Sequence, residues 1–206
     1  MPASGFSILC VTNRSLCPGD FLARIEELAA CRPSALLLRE KDLAEGEYEE
    51  LAKKVMALCK AHEVSCILHS FHRVAHRLHA KALHLPLPML RTLPAKNRSA
   101  FPVLGSSCHS IEEAAEAEKL GCTYITAGHV FDTDCKRGIP GRGIPFLQQV
   151  CRAVSIPVYA IGGIGPENIR RVQQAGAKGA CIMSGAMVCK DAGKYLDALR
   201  EVEINI

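Results

Sequence analysis

The sequence predicts a compact (β/α)8 TIM barrel in a single domain, 1–206, and three observations predict it. Eight short apolar runs recur, at residues 7–11, 35–38, 65–69, 82–85, 103–107, 123–127, 157–161 and 179–183. Each is nearly continuous in apolar character rather than alternating, as parallel strands covered on both faces are. Amphipathic or capped segments separate most of them, which is the order of repeated strand–helix units. Chemistry-bearing residues cluster just after the runs: Arg39 and Lys41, His69, His84, Ser107 and His109, His129 to Lys136, Gly162 and Gly163, Ser184 and Gly185. In a barrel those positions converge at the C-terminal ends of the strands, where active sites are built. An open doubly wound sheet is the rival, disfavoured because no G-x-G-x-x-G turn follows the first run.

The intervening segments follow in order. Asp20 is placed to cap a helix over 21–30. Residues 48–61 carry Leu51, Val55 and Leu58 on one stripe and read as a second helix. His72, His76 and His79 read as an exposed helix shared with Arg73 and Arg77. His72 and His76 also have the spacing of a metal pair, but H-E-x-x-H is missing and no carboxylate lies at motif spacing. Pro86, Pro88 and Pro94 leave room for only a short helix after the fourth run. Ser110-Ile-Glu-Glu113 has the form of a capping box, and Gly121 stops its helix. Pro166 suits the first turn of a helix ending near Ala175-Gly176. Asp191 caps a last helix ending near Val202.

The 206 residues are 49% hydrophobic and 22% charged, enough for one large core. A net charge of +4 without a block of five like charges, and without Trp, argues against a nucleic-acid partner and suits a small anionic substrate. Eleven cysteines without C-x-x-C or a signal-peptide pattern point to a reducing, cytoplasmic setting rather than a disulfide framework. No apolar run approaches the roughly 18 residues of a membrane span. The oligomeric state stays open, a homo-oligomer included.

His129, at the end of the sixth run, is a candidate general acid/base because imidazole titrates near neutrality; the alternative is a structural histidine. Lys136 either contacts a substrate phosphate or is a solvated loop charge. Arg39 and Lys41 either meet a substrate anion or belong to a local salt-bridged strand end. Gly162-Gly163 and Ser184-Gly185 follow the last two runs, where barrels frequently bind phosphate through backbone N–H groups; otherwise they are tight turns. Cys135 beside Lys136 is a weaker candidate nucleophile. His69 and His84 sit at strand ends and can line the pocket.

These residues resemble the thiamine phosphate synthase superfamily over nearly the whole chain. The resemblance rests on Leu38-Arg-Glu-Lys-Asp-Leu43, Gly105-Ser-Ser-Cys-His-Ser110 and Tyr159-Ala-Ile-Gly-Gly-Ile164, in this order and spacing. It implies phosphate binding at Ser107, Gly163, Ser184 and Gly185, and a loop-lysine role for Lys136. Synthases of this superfamily hold a pyrimidine diphosphate through Mg2+, usually with Asn-Asp after strand three and Gly-Gln-Glu-Asp after strand four. Here those places hold His69-Ser70 and Pro86-Leu87-Pro88-Met89, so the acidic ligands that Mg2+ needs are missing. Leu37, Leu87 and Met89 would make that side apolar. Gly128-His-Val-Phe131, followed by Asp-Thr-Asp-Cys-Lys136, is similar to the thiazole tautomerase branch, the TenI-like proteins. That similarity implies an aromatising isomerase in thiamine biosynthesis. His129 would shift a proton on a phosphorylated thiazole carboxylate, with no metal or cofactor. The alternatives are a divergent thiamine phosphate synthase, or a non-catalytic regulatory barrel that binds a thiazole phosphate.

Overall fold

A computed structural model describes residues 5–136 and 138–201; the side chain of Cys135 and the expected helix end at Val202 lie outside what it describes. The strands are β1 (Ser7–Val11), β2 (Ala35–Leu38), β3 (Ser65–His69), β4 (Ala82–Pro86), β5 (Val103–Cys108), β6 (Tyr124–Gly128), β7 (Val158–Ile161) and β8 (Gly179–Ile182). They pair in parallel in chain order and close, with Leu9 of β1 opposite both Ala35 of β2 and Cys181 of β8. Each strand lies within a residue at either end of the apolar run that predicts it.

The helices are α1 (Phe21–Ala30), α2 (Glu45–Ala61), α3 (His72–Arg77), α4 (Leu87–Thr92), α5 (Ala95–Arg98), α6 (Ile111–Lys119), α7 (Gly143–Ala153), α8 (Ile169–Gln174), α9 (Ser184–Val188) and α10 (Ala192–Arg200). Asp20 caps α1 by accepting the Ala23 N–H at 2.8 Å, and Asp191 caps α10 by accepting the Lys194 N–H at 2.9 Å. Helix α2 starts earlier than its apolar stripe. Glu47 accepts the Ala44 N–H at 2.9 Å, and the acidic first turn suits the positive end of the helix dipole. The capping box of α6 is half of what its sequence suggests. Ser110 accepts the Glu113 N–H at 3.1 Å, but the Glu113 carboxylate reaches past Ser110 to the His109 N–H at 2.6 Å. Pro166 does not open α8. It lies in a turn ahead of Asn168, whose side-chain amide accepts from the Gly165 N–H and donates to the Gly163 carbonyl.

Parallel closure gives two apolar layers. The outer one packs strand residues such as Leu36, Leu38, Leu68 and Leu104 under the helices. The inner one fills the barrel with Leu9, Val11, Leu37, Ile67, Tyr124, Tyr159 and Cys181. Truncating a buried leucine in either layer would cost about 2–5 kcal/mol. His76 and His79 are exposed as expected, but His72 is half-buried and His79 falls just past the end of α3. Among the described residues no helix is long and apolar enough to cross a membrane.

Candidate active site

Side chains along a strand alternate between its two faces, so every second residue points into the barrel. Following that alternation outward takes Ala35 and Leu37 to Arg39, Ile67 to His69, Ala82 to His84 and then Pro86, and Tyr124 to Thr126. The lower members fill the inner core. The outermost ones line a cavity of about 470 Å³ at the C-terminal mouth. Arg39, Lys41, Ser107, His129, Lys136, Gly162, Gly163 and Ser184 all line it, as does His69. Gly185 is not among the lining residues. Its Cα faces the Tyr195 hydroxyl on α10, and a Cβ there would collide with it.

The same alternation separates the charges after β2. Arg39 and Lys41 face the cavity, whereas Glu40 is buried on the other side. There Glu40 accepts from the Thr12 hydroxyl at 2.6 Å and from the Arg14 N–H at 3.0 Å. Asp42 pairs with the Arg14 guanidinium. The salt bridges of this strand end thus run from Glu40 and Asp42 to Arg14, and not to Arg39 or Lys41. Among the described residues Arg39, Lys41 and Lys136 have no ion pair. Burial, then Arg39 and Lys136, push the Lys41 ammonium below its ordinary range. Burial first, then Lys41 and Arg39, hold His84 neutral, lowered to about 3; burial, then His84, then the same two cations lower His69 to about 2.

His84 belongs to a buried chain that the sequence did not signal. Its Nδ1 is 2.9 Å from the Tyr124 hydroxyl and its Nε2 is 2.8 Å from the Ser107 hydroxyl. The partners lie 40 and 23 positions away along the chain, so only the barrel brings them together. The phenol has no other hydrogen-bond partner among the described residues, so it donates to Nδ1. Nε2–H then donates to Ser107, which leaves the serine's own proton for the cavity.

His129 is 4% exposed and its Nε2–H donates to the Ile139 carbonyl at 3.0 Å. Its backbone carbonyl accepts the Arg142 N–H at 3.0 Å, and Val130 pairs both with Ile161 and with Gly143. Together these bonds zip the 129–143 loop closed and present Lys136, at its turn, to the cavity. Gly162 and Gly163 have positive φ, 103° and 63°, and a Cβ on either would run into this loop at His129 or Asp132. Their glycine identity thus follows from the loop's close approach, whatever binds above.

Pro86, Leu87 and Pro88 form an apolar wall. Leu37 instead lies below, in the inner core, and Met89 points away at 36% exposure. Glu113 is the one carboxylate among the described lining residues, and its oxygen is engaged by His109. Among the described residues no group of three His, Cys, Asp or Glu is arranged to hold a metal ion. The donors at this mouth do not fit Mg2+, which takes oxygen ligands in near-octahedral order.

Residues 8–186 match the model of a protein family described as thiamine monophosphate synthase. The chain is 32% identical to a thiamine-phosphate synthase of Syntrophomonas wolfei subsp. wolfei, over 98% of each chain. It is 33% identical to thiamine-phosphate synthase 2 of Streptococcus pneumoniae, over 93% of this chain and 92% of the relative. Its fold matches the solved thiamine phosphate pyrophosphorylase from Pyrococcus furiosus with a TM-score of 0.83 and 29% identity, covering 96% and 95% of the two chains. These findings overturn the isomerase expectation. Relatives that span nearly the whole chain carry the name of a synthase, a transferase rather than an isomerase. The expectation leaned on a few mouth positions, chiefly Gly128-His-Val-Phe131, where the structure gives His129 a loop-closing bond.

Proposed function

Because this chain belongs to the thiamine monophosphate synthase family, we propose that it joins a phosphorylated thiazole to a pyrimidine carried as its diphosphate, releasing diphosphate. The observation that carries this reading is the mouth's charge: Arg39, Lys41 and Lys136 face one cavity with no ion pair among the described residues. In such a condensation the thiazole nitrogen forms a bond to the pyrimidine's methylene carbon. The bond from that carbon to the diphosphate oxygen breaks, and the electron pair leaves with the diphosphate. Negative charge therefore grows on the leaving group, where fixed cations and hydrogen-bond donors stabilise it most.

Arg39, Lys41 and Lys136 take that role, with the Ser107 hydroxyl as a further donor. Pro86, Leu87 and Pro88 offer flat apolar surface to a ring. The backbone at Gly162, Gly163 and Ser184 offers N–H groups to the thiazole's phosphate. A condensation asks no proton shuttle of His129; its part is to hold the loop that carries Lys136. The Mg2+ associated with the family finds no fitting ligands here, and no step is routed through it. The free cysteines agree with a cytoplasmic location, which we also propose.

The test is direct. Purified protein supplied with both halves should form thiamine phosphate and release diphosphate in equal amounts, followed by chromatography and a diphosphate assay. Absence of product, with and without Mg2+, would sink this reading.

A further inference from the structure

We propose that this mouth does not take the Mg2+ associated with the family, and that diphosphate facing Arg39, Lys41 and Lys136 is held with no divalent cation bridging it to the protein. This rests on the functional reading above for the identity of the anion, but on the mouth's own groups for the manner of binding.

Three like charges around one cavity repel each other, and with low-dielectric walls the repulsion is stronger than in water. Proteins ordinarily relieve such repulsion with a neighbouring carboxylate. Here the nearby carboxylates do not pair with these cations. Glu40 is held by Thr12 and Arg14, Asp42 by Arg14, and Asp132 by the Gly141 N–H, while Glu113 lines the cavity but accepts the His109 N–H. The charge left over is comparable to that of a diphosphate ester.

A divalent cation would enter this field against the repulsion of all three side chains. It would also lack ligands. Both His84 nitrogens are taken, by Tyr124 and Ser107, and His69 Nδ1 is 2.7 Å from the Ser70 hydroxyl. The nitrogens left over, His129 Nδ1 and His69 Nε2, are not the hard oxygen ligands that Mg2+ takes. The ammonium, guanidinium and hydroxyl hydrogens beside them bind anion oxygens. Burial first, and then the neighbouring Arg39 and Lys136, lower the Lys41 ammonium's pKa, so an anion beside it relieves both causes.

Calorimetry with inorganic diphosphate tests this, in buffer containing excess EDTA and in buffer containing Mg2+. The dissociation constant in EDTA should lie within about threefold of that in Mg2+. It should weaken steeply with salt, as exposed charge contacts do. Lys41→Met and Lys136→Met should each weaken binding by about tenfold in EDTA while melting no lower than the parent without ligand. Binding that needs Mg2+ would overturn the proposal, and so would variants that bind as tightly as the parent. If a variant melts early, Lys→Arg at the same position serves in its place and must retain binding. Diphosphate binding in EDTA without condensation of the two halves would leave the anion site standing and remove the proposed reaction; condensation with diphosphate binding only in Mg2+ would do the reverse.

Discussion

Cations on the outer helices and cations at the mouth are the same side chains in opposite circumstances. Arg77 of α3 is held by Glu45 and Glu49 of α2 at 2.9 and 2.5 Å. Arg91 of α4 makes two bonds to Glu116 of α6, at 2.7 and 2.6 Å. Arg39 and Lys41, on a strand end flanked by Glu40 and Asp42, have no such partner because the alternation of β2 turns the acids to Arg14. Paired surface charges contribute little to stability, since water already solvates them. Unpaired charges facing a cavity cost the empty fold something, and an anion repays it. The position of the acids, more than the number of charges, separates a solvated surface from a binding site.

The largest break in that contrast should come from Arg39→Met. Removing one preorganised donor from a growing negative charge typically lowers the rate by about 10²–10³. The kcat/KM of the condensation should fall by that order, while the melting temperature in the absence of ligand does not fall. A variant with near-parental kcat/KM would place Arg39 among the solvated charges and remove the difference between the two sets of cations.

The neutral imidazoles beneath the cations provide the next effect. Their folded values, about 3 for His84 and about 2 for His69, lie below the roughly 6.5 of an unfolded histidine. Between those limits the unfolded chain binds more protons than the folded one. Stability is therefore fully present above about pH 6.5 and falls as pH drops through the window, by up to about 1.4 kcal/mol per pH unit for each imidazole. Urea unfolding between pH 7 and 5, above the main carboxylate range, should show this slope. His84→Gln should remove about half of it; an unchanged slope would mean that His84 is not held neutral.

Much of this arrangement was legible before the structure. Strands buried on both faces leave continuous apolar runs, so β1 to β8 stood out, and what followed each run located Arg39, Lys41, Ser107, His129 and Lys136 at one mouth. Helix α7 did not stand out, since it begins at Gly143 and carries Pro145 in its first turn, both of which read as loop. The Tyr124–His84–Ser107 chain was invisible because its members meet only through closure of the sheet. At Gly185 the packing against Tyr195 was invisible, because a glycine needed for packing looks the same in sequence as one needed for a ligand. The reaction itself was misread. Local departures near His69, Pro86 and His129 were weighted above a similarity that spans the chain.

The smallest effect should come from the paired side of the comparison. Arg91 and Glu116 form a bidentate pair on the exposed faces of α4 and α6, where water competes for both groups and salt screens them. Arg91→Met should shift Tm by no more than about 2 °C and leave diphosphate affinity and condensation kinetics at parental values. Raising the salt concentration should shrink even that shift, whereas the same salt should visibly weaken diphosphate binding at the mouth. If Arg91→Met instead lowers condensation as Arg39→Met does, the outer pairs are coupled to the site through α4 and the wall at Leu87, and the paired charges are not the bystanders that their geometry makes them.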